Sequence, residues 1–138
     1  MANIDSGTAG YPLATGVGSP AIYYLHEFGR LVHKVFGEYP FLVGSALYEK
    51  NPRDIDVRVE MASRRFRELF HEPEHCRGGS RYAVICMTFS ALAEKMTGLS
   101  VDFQVQFPGW YNQHRGRPKL ELGRDGSTNE NRNSASIS

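Results

Sequence analysis

The chain is poor in several things that would have narrowed its class at once. Its 138 residues hold two cysteines, Cys76 and Cys86, and a single tryptophan, Trp110. Two cysteines are too few for the disulfide framework of a small secreted scaffold. Cys86 also falls in an apolar helical pattern, where a reduced, buried thiol is the usual case. An excess of one charge is missing as well: 16 Lys and Arg against 15 Asp and Glu leave a formal net charge of +1. That balance argues against a domain coated for nucleic acid or for a membrane surface. Apolar runs are short, and the longest, near Phe41, cannot span a bilayer. The opening MANIDSGTAG has neither a basic segment nor an apolar one and is expected not to act as a secretory signal. These absences point to a cytoplasmic globular protein with one core of ordinary size.

What is present is organised. Residues 1–18 show little periodicity and are expected to form an irregular arm. Ser19-Pro20 then offers a cap and a proline suited to the first helical position. Ile22, Leu25, Gly29, Val32 and Phe36 follow at helical spacing, with Gly37 as a stop. Pro40 opens a short buried-strand pattern, FLV, which runs into Gly44-Ser45. The stretch DIDVRVEM alternates, with Ile55, Val57, Val59 and Met61 on one face and Asp54, Asp56, Arg58 and Glu60 on the other. A short helix is expected over RRFRELF, ended by Pro73, and a longer one over Tyr82, Ile85, Phe89, Leu92 and Met96, stopped by Gly98. The stretch SVDFQVQF alternates again, with Asp102, Gln104 and Gln106 on its polar side. The predicted order α-β-β-α-α-β describes an α/β (α+β) domain with a small sheet of three or more strands and helices on one face. It divides into an arm over 1–18, a core over 19–107 and a polar, largely flexible tail over 108–138.

Chemistry concentrates in the acids. Residues two apart on a strand point the same way, roughly 6–7 Å apart, so Asp54 and Asp56 project together beside Arg58. Two carboxylates this close repel unless a cation lies between them, and Mg²⁺ suits one or two carboxylates completed by phosphate oxygens. Asp102 has the same phase on a separate strand. If the two strands are neighbours, three carboxylates converge, and two metals about 4 Å apart can stabilise both oxygens of a phosphoryl transfer. Gly44 lets backbone approach a phosphate closely, and the Ser45 hydroxyl can hold its oxygens. The alternative is that the aspartates are simply the solvated face of an amphipathic strand.

The segment FLVGSALYEKNPRDIDVRVE, with VDF downstream, resembles the signature of the polymerase-beta-like nucleotidyltransferase superfamily. That signature is a strand, Gly-Ser, a spacer, Asp-x-Asp, and a third acid on a later strand. The wording is most similar to tRNA-CCA-adding and poly(A) polymerase catalytic heads, and the size to minimal nucleotidyltransferases. The resemblance implies a small mixed sheet and transfer of a nucleoside monophosphate from an NTP, such as ATP, to an acceptor hydroxyl. It implies nucleotide binding by Gly44 and Ser45, with Arg53 and Arg58 alongside. It implies two Mg²⁺ ions, or Mn²⁺, on Asp54, Asp56 and Asp102, with Asp102 helping to activate the acceptor. RNA or tRNA, a protein side chain or a small molecule would be the acceptor, and no membrane is expected to be involved. The spacer from Ser45 to Asp54 is short, at eight residues. The arginine-rich motif of the CCA-adding group is not evident, and these residues are expected to leave no room for a nucleobase-reading second domain, a role that a partner protein would then fill. The competing reading is a catalytically silent binding or regulatory module of the same fold.

Four weaker signals remain. HEPEHC holds His-Glu-x-x-His, but Pro73 would break the helix a zinc protease needs, by about 3 kcal/mol; His71, His75 and Cys76 could also form a structural zinc site. Arg58, Arg64, Arg65, Arg67, Arg77 and Arg81 are either a solvated face or a phosphate clamp. Tyr23, Tyr24, Phe28, Tyr82 and Phe89 are expected in the core. Trp110, Tyr111, His114, Arg115, Arg117 and Lys119 are either an ordinary polar tail or a surface for a base or a nucleic-acid backbone.

Overall fold

A computed structural model describes residues 16–50, 52–71, 80–106 and 116–124. Its elements are α1 (Ala21–Phe36), β1 (Phe41–Val43), a 3-10 helix (Gly44–Leu47), β2 (Asp54–Glu60), α2 (Ser63–Phe70), α3 (Ser80–Thr97), β3 (Ser100–Gln106) and β4 (Leu120–Glu121). The strands form one mixed sheet in the order β3-β2-β1-β4, with the helices on one side of it. β1 runs antiparallel to β2 and β4, whereas β2 and β3 are parallel. This is the α+β arrangement expected. Among the described residues no helix is long and apolar enough to cross a membrane.

The helical stripe of α1 puts Leu25, Phe28, Gly29, Val32 and Phe36 in the core. Gly37 ends the helix at φ 82°, a conformation that favours glycine, and its N–H donates to the His33 carbonyl. Tyr23 and Tyr24, expected inside, are 65% and 48% exposed. Tyr23 lies opposite the buried stripe of Leu25, Val32 and Phe36, and Tyr24 lies on its flank in the first turn, so the helical period wins over their aromatic character. The alternation of β2 and β3 is obeyed beneath the helices, where Ile55, Val57, Val59, Phe103 and Val105 are buried. Phe103 meets Phe28 edge-on at 5.7 Å, with Phe36 and Phe89 closing the cluster. A second cluster, Phe66, Phe70 and Tyr82, packs α2 against α3. α2 ends before Pro73, at His71, whose φ of 58° caps it. The first histidine of HEPEHC therefore stands past the end of a helix, not on one. Glu72 to Cys76, and Arg77, lie outside the described residues.

β3 is an edge strand, and α3 covers its open side. Val101 N–H donates to Glu94 Oε2 at 3.2 Å, and Phe103 N–H to Ser90 Oγ at 2.9 Å. The Tyr82 hydroxyl donates to the Val105 carbonyl at 2.7 Å. Tyr82, Ser90 and Glu94 lie on one stripe of the helix with buried Cys86. Burial pushes the Cys86 thiol pKa up, so it stays a neutral packing group.

The division of the chain changes at its C-terminal side. Leu120 and Glu121, within the stretch assigned to a flexible tail, form the fourth strand against β1. Leu122 is fully buried, and Gly123 lies so close to Gly29 of α1 that a Cβ on either would meet backbone. Arg30 donates to the Gly123 carbonyl at 3.0 Å, and Gly123 N–H donates to His26 Nδ1 at 3.0 Å. The folded unit therefore reaches at least Arg124. At the other end, Val17 of the predicted arm is buried and Gly16 N–H donates to the Ala46 carbonyl. Residues 1–15, 107–115 and 125–138 lie outside the described residues, Trp110, Tyr111, His114 and Arg115 among them.

Candidate functional site

The face of the sheet turned away from the helices carries the predicted acids. In the parallel ladder Asp56 stands directly opposite Asp102, and Asp54 opposite Ser100. Cross-strand partners in such a ladder point to the same side, so Asp54, Asp56 and Asp102 share one face. β1 brings the rest: Val43 is the partner of Asp56, and the chain then leaves the ladder as Gly44–Leu47. The Gly44-Ser45 turn and the acids thus meet at one end of the sheet. Gly44 has φ 80°, accessible to glycine without strain. Ser45 is exposed, while its carbonyl accepts the N–H groups of Tyr48 and Glu49 and holds the turn closed.

The charged face is not evenly solvated. Arg58 is only 8% exposed. Its guanidinium lies 3.1 Å from Asp102 Oδ2 and 3.8 Å from Asp56 Oδ1, and it also donates to the carbonyls of Asp102 and Val57. The repulsion expected between the acids is met, in the protein alone, by a resident arginine. Gln104 donates to Asp102 Oδ2 at 3.3 Å and Gln106 lies beyond it, buried, its Oε1 without a hydrogen-bond partner among the described residues. A polar row therefore runs from Asp56 through Arg58 and Asp102 to Gln106. The sequence pattern marked Arg58 as a phosphate ligand and left Gln104 and Gln106 unassigned. Their shared phase with Asp102 was the available signal. Arg53 and Asp54 are exposed at the start of the strand.

Among the described residues, no group of three or more His, Cys, Asp or Glu side chains is arranged to hold a metal ion on its own. The donor chemistry nevertheless fits Mg²⁺. That ion favours one or two carboxylates with water and substrate phosphate oxygens over an all-protein cage. Asp56 and Asp102, paired across the ladder, are such a set, with Asp54 two residues upstream.

Hollows border this face among the described residues. One, of about 490 Å³, is lined by Gly44, Ser45, Tyr48, Glu49, Arg117 and Pro118. Another, about 460 Å³, follows α3 along β3 and includes Cys86, Ser90, Glu94, Asp102 and Gln104. No protein-family model matches the chain, and no curated protein or solved structure does either.

Proposed function

We propose that the chain is a nucleotidyltransferase domain that moves a nucleoside monophosphate from an NTP to an acceptor hydroxyl, releasing pyrophosphate. The observation that supports this most is the register of β2 and β3. It sets Asp56 against Asp102 on the open face, at the end of the sheet where β1 delivers Gly44-Ser45. Asp54, Asp56 and Asp102 would hold Mg²⁺, or Mn²⁺, which when bound neutralises phosphate charge and lowers the pKa of an attacking oxygen.

The chain's own groups have distinct tasks in this reading. Gly44 lets the backbone come close to a phosphate, and the exposed Ser45 hydroxyl donates to it. Arg58 fixes the rotamers of Asp56 and Asp102 before substrate arrives. Asp102, whose side chain is 51% exposed, is open to an acceptor and takes its hydroxyl proton on a carboxylate oxygen. The acceptor is RNA, tRNA, a protein or a small molecule, and the open face leaves space for a partner protein that presents it. A cytoplasmic location goes with NTP as the donor.

One observation favours the alternative, a silent binding or regulatory module. A guanidinium already offsets part of the charge of the two acids, so the face is partly compensated without metal. Single-turnover transfer beside equilibrium NTP binding separates the two. Asp56→Asn is expected to lose Mg²⁺-dependent nucleotide binding. Asp102→Ala is expected to keep most affinity while transfer falls roughly 10²-fold or more. A parent protein that binds nucleotide yet labels no RNA, protein or small-molecule acceptor is the module instead.

A further inference from the structure

The hollow beside Gly44-Ser45 holds a residue that neither the motif nor the acid face accounts for. β4 pairs with β1 through Leu42 and Leu120, antiparallel. Had that ladder continued, Lys119 would face Val43, Pro118 would face Gly44 and Arg117 would face Ser45. β1 turns away at Gly44 instead, and the space it vacates is the hollow of about 490 Å³ that Ser45 and Arg117 both line. On the opposite flank of β1 the same register logic sets Asp54 beside the turn, since Val43 faces Asp56. Across this end of the sheet the order is therefore acids, glycine-serine turn, arginine.

We propose that Arg117 is a phosphate-binding residue, gripping the far end of a triphosphate whose near end lies at the acids. Four features of the site carry this. Arg117 is exposed and has no ion-pair partner among the described residues, so its fork is free for phosphate oxygens. Lys119, two residues on, is already engaged over the Phe41 ring at 4.1 Å and is not free in the same way. Pro118 has a fixed φ, which stiffens the backbone that presents the guanidinium. The Ser45 hydroxyl, on the facing wall, makes no hydrogen bond among the described residues. Glu49 lines the same hollow and repels an anion, so the phosphate sits toward Ser45 and Arg117, away from it.

This assignment rests on the nucleotidyl-transfer reading, but it can fail separately. Titration calorimetry with inorganic tripolyphosphate in the absence of metal, and with Mg-ATP, tests it on the parent, Arg117→Ala, Arg117→Lys, Glu49→Gln and Asp56→Asn. Arg117→Ala should weaken tripolyphosphate binding roughly tenfold or more, with an unchanged melting temperature. Arg117→Lys should recover part of the loss and Glu49→Gln should bind more tightly than the parent. Asp56→Asn should keep metal-free tripolyphosphate binding while losing Mg-ATP. If Arg117→Ala binds both ligands like the parent while Asp56→Asn loses Mg-ATP, the role of Arg117 is overturned and the transfer reading stands. If tripolyphosphate binds through Arg117 but no NTP binds at all, the anion site stands and the transfer reading falls. A parent that binds neither overturns both.

Discussion

On one side of β2, Ile55, Val57 and Val59 are completely buried under the helices; on the other, Asp54, Asp56, Arg58 and Glu60 share the surface with Asp102 from the next strand. Both faces are built by the same ladder with the same two-residue period, yet they answer to different physics. The apolar face gains free energy with every square ångström removed from water and has no use for directionality. The polar face gains little from its ion pairs, because its carboxylates remain partly solvated. What it gains is position: one guanidinium fixes two acids that face each other across a single rung. A face that holds charges together without profiting from them in stability is organised for something outside the chain.

Substitutions on the two faces should therefore separate stability from chemistry. The largest loss is expected from Phe103→Ala, which empties the centre of the aromatic cluster with Phe28, Phe36 and Phe89. It should cost about 3–5 kcal/mol in denaturant unfolding; a cost under about 1 kcal/mol would mean that the cluster is not the core. Arg58→Met comes next. It removes the buried donor to the carbonyls of Val57 and Asp102 and leaves two acids facing each other, for about 1–3 kcal/mol. The sharper expectation is that millimolar Mg²⁺ restores part of that melting temperature, because the acids gain an ion that the arginine no longer opposes. Equal Mg²⁺ effects on parent and variant would show that the two cations do not compete.

Gly29→Ala tests the seam outside both faces. A Cβ there would collide with the Leu122 carbonyl, so α1 and the chain after β4 must part, at about 1–3 kcal/mol. An unchanged melting temperature would return Leu122 and Gly123 to the tail. The smallest effect is pH-dependent. His26 Nδ1 accepts the Gly123 N–H, and burial, with Arg30 adding to it, lowers the histidine pKa below its ordinary 6.5. The unfolded chain thus takes up the proton first as pH falls. The contribution is present above about 6.5 and is lost as pH drops toward the folded value. Melts between about pH 8 and 5.5 should show this slope flattened in His26→Gln. A slope unchanged by that substitution would assign the pH dependence to other groups.

Much of this was legible from local pattern. The period of two in DIDVRVE and SVDFQVQ predicted both strands, and the matched phase of Asp56 and Asp102 anticipated a shared face if the strands paired. What remained hidden depended on distant neighbours. Alternation placed Arg58 on a charged face but could not say that it folds inward over Asp102, because that needs β3 beside β2. β4 is two residues long and lies in a stretch of glycine, proline and charge, too short for a period to declare itself. Arg117 belonged by composition to a polar tail; only the antiparallel return of β4 along β1 sets it against Ser45.

The cover that α3 places on β3 bears on how the chain is made. β2 leaves the ribosome before α2, α3 and β3, so its parallel partner arrives late, and long-range pairing of this kind is slow. A bare edge strand is meanwhile a template for any neighbouring chain. Here Tyr82, Ser90 and Glu94 precede the strand they cap, with Gly98 and Leu99 as the whole connection between helix and strand. The nascent chain thus emerges with the guard for its β3 edge already synthesised, and the interval in which that edge stands open to a neighbour is as short as the turn that joins them.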